Sequence, residues 1–231
     1  MQEPDISVLM TVFNGEKYIR ETMESVLGQT FSNFEFLIID DGSTDQTKEI
    51  IFSFQDPRIV YVYQENAGTS AASNKGLSIA KGKYIARIDA DDICMKNRLQ
   101  LQHEFLEQHP DYILCASTAI IMDKDGNYIF TLKAPCEDKE IKKVLEHEDC
   151  FVHPSTFFRI DIARRVGGYY EPIKMDFEDY TFLYQLSKHG KVYIFKEPLV
   201  KYRLVPYSLS IRIRNVRYRR TALKIVKGGF A

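Results

Sequence analysis

The chain has 231 residues, 45% of them hydrophobic and 13% aromatic, enough to bury the core of one globular domain. No run of 18 apolar residues occurs, which excludes a transmembrane helix, and the acidic start Met1-Gln2-Glu3-Pro4-Asp5 lacks the basic and apolar segments of a secretory signal. These absences point to the cytoplasm. Net charge is only −1, but no acid follows Glu197, so residues 1–200 carry a net −10 and the last 31 residues hold nine bases.

In chain order, Ile6–Val12 reads as a buried strand broken by Asn14-Gly15. Asn14 is placed to cap a helix with apolar positions at Ile19, Met23, Val26 and Leu27. Phe34–Ile39 is a second strand ending in Asp40-Asp41-Gly42-Ser43, followed by a helix that turns Ile50, Ile51 and Phe54 inward. Ile59–Tyr63 is a third strand. Asn66-Ala67-Gly68-Thr69 forms a loop, and Ser70–Ala80 a helix of small residues. Tyr84–Ile88 is a fourth strand ending in Asp89-Ala90-Asp91-Asp92. Apolar strands alternating with helices predict an α/β, doubly wound, mostly parallel sheet. Ligands of such sheets bind beyond the carboxyl ends of the strands. The four polar clusters at Thr11–Asn14, Asp40-Asp41, Asn66–Gly68 and Asp89–Asp92 therefore fall on one rim.

The second half is less regular. A helix is expected over 97–109 and a strand over Tyr112–Met122, turning at Asp125-Gly126-Asn127 into a return strand over Tyr128–Leu132. Residues 137–148 read as helical, Thr156–Ile160 as extended, Glu178–His189 as a helix, and Val192–Phe195 and Leu199–Leu204 as two extended pieces. No linker divides the chain. The expected organisation is one domain over 1–231, with a regular half to about 92, a less regular half over about 93–204 and a basic tail over about 205–231.

Three carboxylates within Asp89-Ala90-Asp91-Asp92 repel one another unless a cation or solvent intervenes. Oxygen ligands of this kind suit Mg²⁺ or Mn²⁺, which commonly bridge one or two carboxylates to substrate phosphates. The plain alternative is a solvated acidic turn. Asp40-Asp41-Gly42-Ser43-Thr44 is either a turn with a helix cap or an acceptor for hydrogen bonds from a base or ribose. Glu178-Asp179 opens a helix, where acids are ordinary partners of the dipole; its functional reading is a general base. His153 is ambiguous between structure and catalysis. The haloacid-dehalogenase motif D-x-D-G-T does not fit Asp40-Asp41-Gly42-Ser43-Thr44, and the phosphate loop fails at Gly82-Lys83 because Leu77 and Tyr84 occupy its key positions. The scattered cysteines Cys94, Cys115, Cys136 and Cys150 offer no paired metal-ligand spacing.

Taken in order, eight blocks resemble the bacterial-type family 2 glycosyltransferases of the GT-A fold. They are Ser7–Gly15, Ser25–Thr30, Ile39–Asp45, Asn66-Ala67-Gly68, Asp89–Asp92, His153–Thr156, Glu178-Asp179 and Tyr202-Arg203, and together they span residues 5–204. The resemblance implies that Thr11, Val12, Asn14, Asn66 and Gly68 line the nucleotide pocket. It implies that Asp41 meets the uracil or ribose with Asp40 beside it, and that Arg87, Asp89 and Ala90 lie near the nucleotide and donor sugar. Asp91 would bind Mn²⁺ or Mg²⁺, and Asp179 would be the base with Glu178 beside it. Asp92, His153 and Arg203 would face the acceptor or donor sugar. The implied reaction is an inverting transfer of one sugar, from a nucleotide-diphosphate sugar such as a UDP-sugar to a carbohydrate or lipid-linked acceptor, in cell-surface polysaccharide or glycolipid synthesis. The processive Q-x-x-R-W block is absent, as is any Trp. Two alternatives stand beside it: a sugar-nucleotide nucleotidyltransferase, whose Gly-rich basic loop is not matched at Val12–Lys17, and a non-catalytic binding relic. No nucleic-acid partner is expected. In the tail, Leu209, Ile213, Val216, Leu223 and Val226 share a helical face among arginines, which suits either the inner membrane surface or an ordinary packing helix.

Overall fold

A computed structural model describes residues 3–171 and 178–205. Its elements run in the order β1 (Ile6–Val12), α1 (Ile19–Leu27), β2 (Phe34–Asp40), α2 (Thr47–Phe52), β3 (Ile59–Tyr63), α3 (Thr69–Ile79) and β4 (Tyr84–Asp89). Then come β5 (Ile93–Cys94), α4 (Arg98–Gln108), β6 (Tyr112–Met122), β7 (Tyr128–Thr131) and α5 (Asp138–Leu145). A 3-10 turn over His153–Ser155 leads to β8 (Phe157–Arg159), α6 (Ile160–Arg165), α7 (Glu178–Ser187) and β9 (Lys191–Arg203).

The first four strands are parallel in the order β3-β2-β1-β4. They carry apolar side chains on both faces because helices cover both. Val8, Met10, Phe36 and Ile38 pack with Ile19 and Met23 of α1, Ile51 of α2 and Leu99 of α4. Leu9, Leu37 and Ile39 point the other way, toward Ala72 and Leu77 of α3. The period-two alternation of a strand thus divides one apolar sequence between two cores. The sheet is the expected doubly wound one, and it continues into a mixed second half, β4-β8-β6-β9-β5, with β7 paired to β6. There β8 runs antiparallel to both β4 and β6, while β9 runs parallel to β6.

Chain order reverses direction between β1 and β4, the position where open α/β sheets leave a crevice. The register aligns Thr11 with Ile39 on one side and with Asp89 on the other, and Val12 with Asp40. Opposite the crevice, at the amino ends, Glu35 accepts hydrogen bonds from the Ser7 hydroxyl at 2.6 Å and from the Lys81 N–H at 2.7 Å. The Gly82 N–H donates to Ser7 Oγ at 2.9 Å, and a Cβ at Gly82 would collide with the Ser7 nitrogen, so only glycine allows this approach.

Four local expectations change. Asn14 does not cap α1: its backbone is left-handed (φ 52°) and α1 begins after Tyr18. Thr156–Ile160 shortens to β8, and α6 follows with Ile160, Ile162 and Ala163 buried. The two pieces after Gly190 are one strand, β9. Pro198 sits at a register shift opposite Thr118, where its missing N–H is tolerated. The two-residue β5 is too short to show in the sequence pattern. Among the described residues no helix is long and apolar enough to cross a membrane. The tail reading falls on residues 206–231, outside the described ones.

Candidate active site

A cleft of about 1090 Å³ opens at the carboxyl ends of β1 and β4. One wall is built from the loops that follow β1, β2 and β4. The Asn14 N–H donates to Ser43 Oγ at 2.9 Å, and Asn14 Oδ1 accepts from the Thr44 N–H at 2.9 Å. The Glu16 N–H donates to Asp45 at 3.0 Å, and Glu16 accepts from the Gln46 N–H at 3.0 Å. These reciprocal bonds satisfy the backbone of both loops and fix one against the other.

Asp41 is 4% exposed and lines the cleft. Its carboxylate accepts from Gln64 Nε2 at 2.7 Å and from the N–H groups of Ala67 and Gly68, each at 2.9 Å. It thereby shapes the 66–68 loop and sits at the positive N-terminus of α3. Gly42, at φ 87°, permits this approach, since a Cβ there would lie 2.9 Å from the Asn66 nitrogen. Asp40 turns inward: it accepts from the Ser43 N–H at 2.9 Å and the Tyr61 hydroxyl at 2.8 Å.

Arg87 is 1% exposed and stands at the base of the cleft. Its Nη2 pairs with Asp89 at 2.8 Å and donates to Thr11 Oγ1 at 2.8 Å, while Nη1 donates to the carbonyls of Leu9 and Ile88. Asp91 lines the cleft beside Asp89. Burial, with the charge of Asp89 second, pushes its carboxyl up to about 6. Asp92 is fully buried behind it. One of its oxygens accepts from the Arg203 N–H at 2.8 Å, and the other has no hydrogen-bond partner.

The opposite wall comes from the loop after α5, the 3-10 turn and α7. It brings Asp149, His153, Glu178 and Asp179 to the cleft. His153 Nε2 lies 2.8 Å from the Tyr169 hydroxyl. Burial, and then the positive charge of Arg87, lower the His153 pKa to about 3, so the ring is neutral at ordinary pH. Asp149 faces the open cleft yet is surrounded by protein, and burial raises its carboxyl to about 6. Asp179 rises well above the usual carboxylate range: desolvation comes first, then the charges of Asp149 and Glu178.

A family model described as Glycosyl transferase family 2 matches residues 7–167. The chain belongs to the family 2 glycosyltransferases. It is 36% identical over 211 residues to an uncharacterized glycosyltransferase of Methanocaldococcus jannaschii, covering 88% of this chain and 72% of that one. It is 38% identical over 128 residues to the glycosyltransferase GlyG of Streptococcus pneumoniae, covering 54% of this chain and 42% of that one. In fold it matches the crystal structure of residues 1–349 of S. aureus TarS in complex with UDP-GlcNAc. There the TM-score is 0.80 at 18% identity, over 96% of this chain and 65% of the other. It also matches the mannosyltransferase PcManGT of Pyrobaculum calidifontis in complex with GDP-Man and Mn²⁺, with a TM-score of 0.70 at 17% identity, over 100% of this chain and 66% of the other. The fold is GT-A. The chain thus spans less than half of GlyG and about two thirds of both solved neighbours.

Of the residues singled out in this glycosyltransferase, the cleft gathers Thr11, Val12, Asn14, Asp41, Arg87, Asp89, Ala90, Asp91, His153, Glu178, Asp179 and Arg203. Asp40 and Asp92 are buried behind its walls, where they hold loops, while Asn66 and Gly68 are exposed in the loop after β3 and do not line it. Asp149, Tyr169, Glu21 and Thr22 carry no sequence signal of their own. Asp149 lies four residues before the His153 block, and the other three become notable only through partners far along the chain.

The donor set suits a divalent cation. Asp91 is a desolvated carboxylate next to like charge, which a cation would relieve, and the buried Asp92 oxygen lacks a partner. No three acidic, His or Cys side chains converge as a complete cage among the described residues. A single cleft carboxylate such as Asp91 suits Mg²⁺ or Mn²⁺, which take few protein ligands and complete their shell with phosphate oxygens and water.

Proposed function

We propose that this enzyme transfers one sugar from a nucleotide-diphosphate sugar, a UDP-sugar in the first instance, to an acceptor hydroxyl with inversion at the anomeric carbon. The observation that carries the reading is the cleft itself, which has Asp91 on one wall and the raised carboxyl of Asp179 on the other. The complexes formed by the fold neighbours are in keeping with it: TarS with UDP-GlcNAc, PcManGT with GDP-Man and Mn²⁺.

Asp91 would hold Mn²⁺ or Mg²⁺, and the bound ion would neutralise charge on the departing diphosphate. The Asp41-ordered loop and the Thr11–Asn14 segment would seat the nucleotide, with Arg87 and Asp89 beneath the sugar. Asp179 would take the proton of the acceptor hydroxyl as its oxygen bonds to the anomeric carbon. The bond from that carbon to the diphosphate oxygen breaks in the same displacement, and the nucleoside diphosphate leaves with the electron pair. A raised carboxyl is suited to this work, because it holds a proton more tightly than an ordinary carboxylate does. Neutral His153 would donate or accept a hydrogen bond without adding charge. One addition per encounter, at the cytoplasmic face, onto a carbohydrate or lipid-linked acceptor for surface polysaccharide or glycolipid, completes the reading.

The test is thermal stability with UDP, GDP, CDP or dTDP, each with and without Mn²⁺. A ligand at a hundredfold excess over its Kd stabilises the native state by about 2.7 kcal/mol. The expected result is a shift with UDP that needs Mn²⁺ and vanishes in Asp91→Ala. A shift with a different nucleotide would change the donor class. No shift with any of them would remove the donor site and favour a binding relic.

A further inference from the structure

The end of β9 reaches back to the loop that follows β4. The Arg203 side chain is 3% exposed and its donors are committed to protein. Nε donates to the Asp91 carbonyl at 2.8 Å, Nη2 pairs with Glu21 of α1, and Nη1 reaches the Lys124 carbonyl at 3.4 Å. Its guanidinium lies 4.5 Å from the centroid of the Tyr18 ring, a cation–π distance. The Arg203 N–H also holds Asp92. From the other side the Thr22 hydroxyl lies 3.0 Å from the Ala90 carbonyl and 2.8 Å from that of Asp92. The peptide units on either side of Asp91 are therefore gripped between α1 and β9.

We infer that Arg203 is a positioning residue for the metal loop, anchored by Glu21 and Tyr18, rather than a contact to acceptor or donor sugar. An arginine whose three nitrogens already serve fixed partners would have to leave the clamp to meet a substrate, and that would release the backbone of Asp91. The inference rests on the reading of Asp91 as the metal ligand. Arg203 lies beyond the segment that the family model matches, residues 7–167, so the assignment comes from this geometry alone. It also explains why a strand so late in the sequence borders the nucleotide half: β9 closes the loop that β4 opens.

The experiment is Mn²⁺ titration of the full chain in the presence of saturating UDP, with free Mn²⁺ followed by electron paramagnetic resonance. Metal-free UDP binding is measured in parallel. Partners that orient a metal ligand are worth about 10–100-fold in affinity, so Arg203→Met is expected to weaken Mn²⁺ binding by that order while metal-free UDP binding stays within about twofold. Arg203→Lys, which keeps the charge but cannot reach Glu21 and the Asp91 carbonyl together, should recover only part of the loss. Glu21→Gln, a milder change on a half-exposed partner, should weaken Mn²⁺ in the same direction and serves if Arg203→Met does not fold. Wild-type Mn²⁺ affinity in folded Arg203→Met or Glu21→Gln, with transfer alone impaired, would overturn the inference and return Arg203 to the substrate side. A wild-type chain that binds UDP but no Mn²⁺ would instead bring down the metal reading, and this inference with it.

Discussion

The two walls of the cleft are built on opposite plans. On one side, loops after β1, β2 and β3 are tied to one another by short side chain–backbone bonds: Asn14 with Ser43 and Thr44, Glu16 with Asp45 and Gln46, Asp41 with Ala67 and Gly68. Asp41 and Asp45 accept three bonds each. On the facing side, Asp149 and Asp179 stand in a desolvated setting, where the charge of Asp149 raises the proton affinity of Asp179. Each accepts from a backbone N–H close by in the chain, that of Phe151 for Asp149 and that of Tyr180 for Asp179. In the proposed reaction the difference separates two jobs. A wall that must hold a diphosphate in one place gains from preorganisation. A wall that must take up a proton gains from a carboxylate that is costly to ionise.

The largest effect is expected from neutralising the proposed proton acceptor. General-base catalysis contributes about 10²–10⁴-fold, so Asp179→Asn is expected to lose transfer by roughly 10³-fold while binding nucleotide as the wild type does. Initial rates of nucleoside diphosphate release, set beside nucleotide-induced thermal shifts, check both halves. Undiminished transfer would remove Asp179 from the role of base.

On the stapled wall the next largest effect is expected at Gly42. An alanine there meets both a positive φ and a 2.9 Å approach to Asn66. Strain of this kind costs about 1–3 kcal/mol, or a fall in Tm of roughly 4–8 °C for about 2 kcal/mol at this chain length. Nucleotide affinity should fall as well, because Asp41 and the 66–68 loop lose their fit. A smaller loss is expected at Thr22. Its replacement by valine removes the hydroxyl that lies between the Ala90 and Asp92 carbonyls, worth about 1 kcal/mol by thermal denaturation. An unchanged Tm in either variant would mean that this stapling carries little stability.

The sequence disclosed these two walls unequally, for a physical reason. Parallel strands covered on both faces are apolar runs, and the polar residues that end them fall on one edge of one sheet. Thr11, Asp41 and Asp89 can therefore be grouped from the order of the residues alone. The facing wall is assembled by long-range contacts: β8 enters between β4 and β6, and α6 and β5 are short elements with little periodicity. Asp149 sits in a loop without regular spacing, so only the fold reveals that it faces Asp179. Asp40 shows the converse limit. Adjacent aspartates look alike in sequence, but the strand pleat sends one to the cleft and the other to Tyr61.

The finest test concerns the pair on the facing wall. With Asp149→Asn, Asp179 loses the largest of the charges that raise its pKa, so that pKa should fall. Because the proposed base must be ionised to act, the acid limb of the rate profile should move to lower pH. Stability gives an independent sign. A carboxyl raised to about 6 in the fold, from an ordinary value near 3.8, binds its proton more tightly folded than unfolded. Its contribution is thus favourable at low pH and lost as pH rises through about 6. Removing the charge should then stabilise the protein at pH 8 and do little at pH 4. Screened by cleft water, the gain at pH 8 is at most about 1 kcal/mol, roughly 2–4 °C in Tm. The activity profile and the melting curves must move together. A variant whose acid limb stays in place while its Tm rises at pH 8 would show that Asp149 lies beside the proposed base without setting its proton affinity.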